Sequence, residues 1–84
     1  MTIPSLKQFD KEVIAKEIEE VAQRWPDFFP RKKVPELTGG AIAIGTLANL
    51  DSSGNGVPGA FRWGRQICYF KKHFVSWWIA RLEA

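Results

Sequence analysis

The segment FRWGRQICYF, residues 61–70, is the feature that most limits what this chain can fold into. Large apolar side chains alternate with polar ones on both sides of Gly64, a pattern typical of two antiparallel strands joined by a tight turn. Arg65 and Gln66 follow the glycine and are expected at the end of the hairpin. The sequence therefore predicts a β-hairpin with an apolar base and a cationic tip.

The register of this hairpin depends on the length of its turn, because a shift of one residue moves every side chain to the opposite face. A two-residue turn at positions 64–65 would pair Trp63 with Gln66, whereas a three-residue loop would pair Trp63 with Ile67. We favour the longer loop because it gathers the large apolar side chains on one face. This register places Phe61, Trp63, Ile67 and Tyr69 on the inner face and Arg62 and Cys68 on the outer face.

Two short helices separated by glycines are predicted before the hairpin. VPELTGG, residues 34–40, has Pro35 at a position suited to a first helical turn and ends with a glycine pair that stops a helix. AIAIGTLANLDSSG, residues 41–54, places Ile44, Leu47 and Leu50 at a spacing of three. Two short helices with a glycine-containing break form a helix-turn-helix pattern.

Longer helices are predicted on either side of this region. Apolar residues recur at helical steps over residues 6–25, with Ser5 as the predicted N-cap and Pro26 ending the helix. Residues 71–82 are predicted to form a closing helix whose apolar side chains cover more than one face. The N-terminal helix is therefore expected to pack across it. The predicted contacting stripe consists of Ile14, Ile18, Val21 and Trp25.

Eighty-four residues predict a single domain, with the N-terminal helix and a linker in 1–29 and the helix-turn-helix with its hairpin in 30–84. The predicted fold class is α+β and mostly helical. A chain this short buries a modest core, so its four tryptophans and six phenylalanines are expected to supply much of the buried area. Core positions are predicted for Phe28, Phe29, Trp63, Trp77 and Trp78.

The sequence contains few residues that suit catalysis or metal binding. Cys68 is the only cysteine, which excludes an internal disulfide and a thiolate cluster. His73 stands alone and no catalytic set is recognisable, so we expect no enzyme activity, metal or cofactor. GNGVPG, residues 54–59, fits G-x-G-x-x-G, but Pro58 and the lack of a preceding strand indicate a loop. No segment has transmembrane or signal-peptide character, so we expect a cytoplasmic protein with no membrane partner.

The net charge of +3 is unevenly distributed. Residues 1–24 hold four Lys/Arg and five Asp/Glu, which gives −1, whereas residues 25–84 hold eight and four, which gives +4. The basic residues of the second part include Arg31, Lys32, Lys33, Arg62, Arg65, Lys71 and Lys72. Such a local excess is compatible with a polyanionic partner.

The order RKKVPELTGG, TLANLDSSGNG, FRWGRQICYF and FVSWW resembles small prophage excisionase-like proteins with a MerR-type winged helix-turn-helix, over roughly residues 30–82. The resemblance implies sequence-specific binding to double-stranded DNA. Members of this family act as recombination directionality factors that bend attachment-site DNA beside an integrase, or as small transcription regulators. A tyrosine-type integrase is thus an implied partner. Because one such domain reads few base pairs, we expect several copies side by side on DNA or a partner.

The resemblance places the start of the recognition helix at residues 43–49 and the wing tip at positions 64–65. Thr46 and Asn49 lie three apart and are predicted to contact bases. Asparagine can pair with adenine through two hydrogen bonds, and the threonine methyl can touch a thymine methyl. Contacts with the DNA backbone, or a wing role, are predicted for Arg31, Lys32, Lys33, Arg62, Arg65, Gln66, Lys71 and Lys72.

Two positions of the second short helix depart from the family pattern. Ala43 stands where a serine cap is common, and a cap of this kind contributes ~1 kcal/mol in general. Gly45 has no side chain to reach a base edge. Two alternatives to excision remain open: a small transcription regulator, and a protein-interaction module that has lost DNA binding, which the absence of a side chain at Gly45 favours. In the second case, the N-terminal helix would bind a partner helix.

Overall fold

Four α-helices and a three-stranded antiparallel sheet make up residues 10–82, the part of the chain that the computed structural model describes. The helices are α1 (Lys11–Ala22), α2 (Val34–Leu37), α3 (Ile44–Ser52) and α4 (Lys71–Ala80), and the strands are β1 (Phe28–Pro30), β2 (Phe61–Trp63) and β3 (Gln66–Phe70). A 3-10 turn at Arg31–Lys33 leads into α2. The predicted α+β class is confirmed. Within these residues, no helix combines the length and apolar character needed to cross a membrane.

The start of α1 is capped by Asp10, whose side chain accepts a hydrogen bond from the backbone N of Val13 at 3.4 Å. This bond satisfies one of the N–H groups that a helix leaves free at its beginning. The helix ends at Ala22, before the predicted end at residue 25. The predicted start at residue 6 and the predicted Ser5 cap lie outside the described residues.

The predicted packing of α1 against α4 is confirmed, with one change in the contacting stripe. Ile14 and Ile18 are half-buried, and Trp25 is buried just beyond the end of α1. The prediction for Val21 was wrong, because its side chain is 47% exposed. A helix turns by about 100° per residue, so the neighbouring Ala22 faces the core instead.

The core lies between the inner face of the sheet and the helices. Its largest fully buried side chains are Tyr69, Phe29, Phe74, Leu47 and Val34. The ring of Phe74 lies at the centre, with centroid distances of 5.5 Å to Phe29 and 5.8 Å to Tyr69. Trp77 and Trp78 are half-buried and pack against this core. Aromatic rings thus supply much of the buried area, as predicted.

The sheet has the order β1-β3-β2, so β3 is its central strand. A two-residue turn at positions 64–65 joins β2 to β3, and Trp63 pairs with Gln66. The predicted three-residue loop was therefore wrong. Gly64 has a φ of +65°, a conformation that the first position of a two-residue hairpin turn requires and that glycine adopts without strain.

Strand β1 was not predicted from the sequence. It pairs antiparallel with β3, so that Phe28 lies opposite Phe70 and Phe29 lies opposite Tyr69. Successive residues of a strand point to opposite faces, and the two phenylalanines therefore separate. Phe29 is buried on the inner face as predicted, whereas Phe28 is 53% exposed on the outer face, where the prediction of a core position was wrong.

The outer face of the sheet carries an aromatic cluster of Phe28, Phe61 and Phe70. The ring centroids of Phe61 and Phe70 are 4.9 Å apart, and those of Phe28 and Phe61 are 5.8 Å apart. Cys68 belongs to the same face but is buried. Trp63 also lies on this face and is 73% exposed, so its predicted core position was wrong.

Candidate nucleic-acid interface

The connection between α2 and α3 is a glycine turn stabilised by one hydroxyl group. Gly39 and Gly40 have φ values of +65° and +87°, which confirms the predicted glycine stop after α2. The Thr38 hydroxyl donates to the backbone O of Val34 at 2.8 Å and accepts from the backbone N of Ile42 at 3.2 Å. This hydroxyl therefore links the end of α2 to the segment that leads into α3.

The rotation of α3 about its axis is set by Leu47, which is fully buried. Because each residue adds about 100°, Gly45 and Asn49 lie on the opposite, outward side of the helix, and both are exposed. Thr46 is also exposed, but it lines a groove with Trp77 of α4. Asn49 thus occupies the outermost part of α3, and Thr46 lies on the side nearer α4.

A cleft of about 240 Å³ separates the start of α3 from the tip of the hairpin. Ile44, the first residue of α3, lines it from one side. Arg31 and Lys32 of the 3-10 turn line it as well, and Arg65 and Gln66 line it from the hairpin tip. We call this surface the cationic cleft, because all of its charged lining residues are positively charged.

The other residues predicted to contact the DNA backbone lie outside the cationic cleft. Lys33 is exposed and 3.6 Å from a glutamate of α2, an exposed pair of a type that contributes about 0–1 kcal/mol. Lys71 and Lys72 line a separate groove between α1 and α4. Arg62 is exposed and shares a face with Ile67, so the prediction that it shares a face with Cys68 was wrong.

Arg31 belongs to a hydrogen-bonded cluster that sequence reasoning missed. Its Nη2 donates to Oδ2 of Asp51 at 2.5 Å, and its Nε donates to the hydroxyl of Tyr69 at 2.9 Å. The Tyr69 hydroxyl in turn donates to the same Asp51 oxygen at 2.8 Å. We call these residues the Arg-Asp-Tyr cluster. It joins the 3-10 turn, the last turn of α3 and β3, and so fixes the end of α3 relative to the hairpin.

Both titratable neighbours of Asp51 have shifted pKa values. Burial opposes the charge of Arg31, but hydrogen bonds with Tyr69 and Asp51 outweigh this effect and raise the pKa of Arg31 above its ordinary value. Burial is also the main reason that the pKa of Tyr69 rises to about 12, with Asp51 adding to the rise and Arg31 opposing it. The Tyr69 hydroxyl therefore remains a donor at neutral pH. Since Asp51 partly compensates Arg31, the uncompensated charge of the cationic cleft comes mainly from Lys32 and Arg65.

We expect the hydroxyl of Tyr69 to ionise near pH 12 in the folded protein and about two pH units lower in denaturant. Because the folded-state pKa is raised, the associated stability is fully present below pH ~10 and is lost as the pH rises through about 12. A difference of this size corresponds to roughly 2–3 kcal/mol.

The measurement is direct because Tyr69 is the only tyrosine of the chain. The ultraviolet difference spectrum of tyrosinate follows its ionisation, and denaturant unfolding at rising pH follows the loss of stability. The Tyr69→Phe variant should lose less stability over the same pH range. Ionisation of the folded protein near the ordinary pKa of tyrosine would contradict the buried, hydrogen-bonded position.

The described residues thus define an α+β protein in which the 3-10 turn, the start of α3 and the hairpin tip meet at a cationic cleft. Comparison of the chain with models of known protein families, with curated proteins and with solved structures gave no match. Its function is therefore inferred from the sequence pattern and from this geometry.

Proposed function

We propose that this protein binds double-stranded DNA through α3 and the hairpin tip, in the manner of a winged helix-turn-helix. The cationic cleft is the observation that carries the proposal, because Ile44 at the start of α3 and Arg65 at the hairpin tip line it together. A recognition helix enters the major groove with its N-terminal part. A protruding wing contacts the neighbouring backbone or minor groove. Both elements must therefore share one side of the molecule.

The charges around the cleft favour a phosphate ligand. Lys32 and Arg65 are exposed, and neither forms an ion pair with another of residues 10–82. Both side chains are free to neutralise phosphates and release the counterions bound to DNA. Ala43 gives the start of α3 no side-chain cap, so backbone N–H groups there are available to a phosphate.

Within this interface we assign the main base-reading role to Asn49, which lies on the outermost side of α3. Gly45 lies on the same side, and no other group is within 4 Å of the position that a Cβ would occupy there. The missing side chain therefore lets the backbone of α3 approach the floor of the DNA major groove. Thr46, on the side nearer α4, is assigned a contact at the edge of this base-reading surface.

The biological role that we propose is an excisionase-like one beside a tyrosine-type integrase, in the cytoplasm. This role is supported by the resemblance of residues 30–82 to excisionase-like proteins. Bending of attachment-site DNA by the protein would favour excision, whereas binding without bending near a promoter would favour transcription regulation. Measuring the bend of a bound duplex therefore separates the two roles.

The test of DNA binding is a mobility-shift titration over a range of salt concentrations, on a duplex selected from a random pool. The logarithm of affinity should fall with the logarithm of salt by roughly 0.9 per phosphate contact. Arg65→Ala should weaken binding to all duplexes and reduce this slope by about 0.9. Asn49→Ala should mainly remove preference for the selected duplex, by about 1–3 kcal/mol.

The control is Arg24→Ala, which removes the same charge from the segment after α1. This variant should leave both the slope and the sequence preference unchanged. Absence of duplex binding by the unaltered protein would overturn the proposal. So would an Arg65→Ala variant that binds with the affinity and slope of the unaltered protein.

A pair of substitutions at Ala43 separates stability from DNA binding. Ala43 has an extended N-cap conformation, with φ −88° and ψ 154°, and makes no side-chain cap. Ala43→Ser and Ala43→Asp should each stabilise the protein by ~1 kcal/mol in denaturant unfolding. Ala43→Ser should retain DNA affinity, whereas Ala43→Asp should lower it because a carboxylate would then face the phosphates. Equal DNA binding by the two variants would place the start of α3 away from the DNA.

A further inference from the structure

We infer that Trp63 is a further DNA-contacting residue, whose indole lies against sugars and bases at the minor groove next to the hairpin tip. This inference rests on the proposed function and adds an apolar contact to it. It depends on the observed register of the hairpin, which removes Trp63 from the core.

The position of Trp63 follows from the two-residue turn. Trp63 is the last residue of β2, and Gly64 alone separates it from Arg65 in the chain. It pairs with Gln66 across the turn, which places its side chain on the outer face of the hairpin tip. The indole therefore lies on the face opposite Ile67, one lining residue of the cationic cleft, and next to Gln66, another.

The indole of Trp63 contributes little to holding the fold together. At 73% exposure, Trp63 is the most exposed large hydrophobic residue among residues 10–82. Phe61 and Phe70 on the same face pack against each other, whereas the ring of Trp63 forms none of the aromatic pairs seen among these residues. An apolar ring of this size, exposed at a tip, is available for a ligand.

The surroundings of Trp63 favour DNA as that ligand over an apolar protein surface. The indole shares the hairpin tip with the exposed Arg65, and its cross-strand neighbour is the amide of Gln66, whereas the exposed Arg62 points to the opposite face of β2. A protein surface that covered the indole at this tip would also have to desolvate the charge of Arg65. A duplex that occupies the cationic cleft meets the same tip and satisfies the guanidinium group of Arg65 with phosphates.

Apolar side chains that enter the DNA minor groove contact sugars and partly unstack base steps. Stacking of a base on an aromatic side chain changes affinity by about tenfold or more. It releases no counterions, so the contribution of Trp63 should not depend on salt as that of Arg65 does.

The experiment compares the salt dependence of duplex binding by the unaltered protein, Trp63→Ala and Trp63→Phe. Trp63→Ala should bind about tenfold more weakly at every salt concentration, with an unchanged log–log slope. Trp63→Phe should retain most of the affinity because it keeps an aromatic ring. The unfolding midpoint of Trp63→Ala should match that of the unaltered protein, which shows that the loss arises in the complex.

A second readout uses the fluorescence of Trp63. The other tryptophans, Trp25, Trp77 and Trp78, are buried or half-buried, so acrylamide should quench Trp63 most strongly in the free protein. Subtracting the Trp63→Phe signal isolates its emission. Addition of duplex should protect this emission from the quencher.

The outcomes distinguish the inference from the proposed function. Failure of the unaltered protein to bind any duplex overturns both. If the unaltered protein binds and Arg65→Ala reduces the salt slope, the proposed function stands. In that case, full affinity of the Trp63→Ala variant would overturn the assignment of Trp63 to the DNA contact. Unchanged quenching of the indole by acrylamide in the complex would overturn it as well. Either result would favour a protein partner for the outer face of the hairpin tip.

Discussion

Replacement of Phe74 by alanine should lower the free energy of unfolding by about 3–5 kcal/mol. Phe74 is fully buried, and its ring lies 5.5 Å from that of Phe29 and 6.0 Å from that of Trp25. Its removal leaves a cavity at the point where α4, β1 and the segment after α1 meet. Since small domains are stable by about 5–15 kcal/mol in total, this one substitution should bring the chain close to unfolding.

Denaturant unfolding followed by circular dichroism measures this effect, and Phe70→Ala provides a matched control. Phe70 is the same residue type but is 40% exposed on the outer face of the sheet, so its loss opens no enclosed cavity. Phe70→Ala should therefore cost clearly less stability than Phe74→Ala. Equal losses in the two variants would contradict the placement of the core on the inner face.

Replacement of Gly56 by alanine should cost about 3 kcal/mol. A Cβ at Gly56 would lie 2.7 Å from Cγ and 2.9 Å from Cα of Asp51, and it would overlap the carboxylate. The backbone of Asp51 belongs to α3 and has little room to move, so the carboxylate must leave its position. Arg31 and Tyr69 would then lose their shared acceptor.

Two further measurements connect this loss to the Arg-Asp-Tyr cluster. The tyrosinate titration of Gly56→Ala should shift toward the ordinary pKa of tyrosine, because the Asp51 carboxylate no longer accepts from Tyr69. In an Asp51→Ala background, Gly56→Ala should cost much less, since residues in one network are not additive. Gly45→Ala is the control, because nothing lies within 4 Å of its Cβ position, and it should be neutral or stabilising. A full additive loss in the double variant would place the effect of Gly56 elsewhere.

The helices could be predicted because their signals are local. The glycine pair after α2 and the spacing of Ile44, Leu47 and Leu50 indicated two short helices, and α2 and α3 are present. The rotation of α1 about its axis could not be predicted as well. Val21 and Ala22 are adjacent and both apolar, and only packing against α4 decides which of them is buried.

The sheet and the site depended on contacts between distant parts of the chain. The prediction of a three-residue loop assumed that one face of the hairpin is apolar, but pairing with β1 gives the sheet aromatic residues on both faces. The position of Gly64 favoured the two-residue turn, because such turns require a left-handed conformation at their first residue, and it predicted the register better than the apolar pattern did. No local pattern connects Arg31 with Asp51 and Tyr69, which lie 20 and 38 residues further along the chain. The Arg-Asp-Tyr cluster therefore became visible only in the structure.

The central place of β3 has a consequence for where the chain can be shortened. The resemblance to excisionase-like proteins starts near residue 30, but β1 pairs with β3 through residues that precede this boundary. A fragment that begins there would lose Phe29 and Trp25 from its interior and would turn β3 into an unprotected edge. Exposed edges of this kind recruit strands from other molecules. Strand β1 thus prevents β3 from pairing with strands of other molecules.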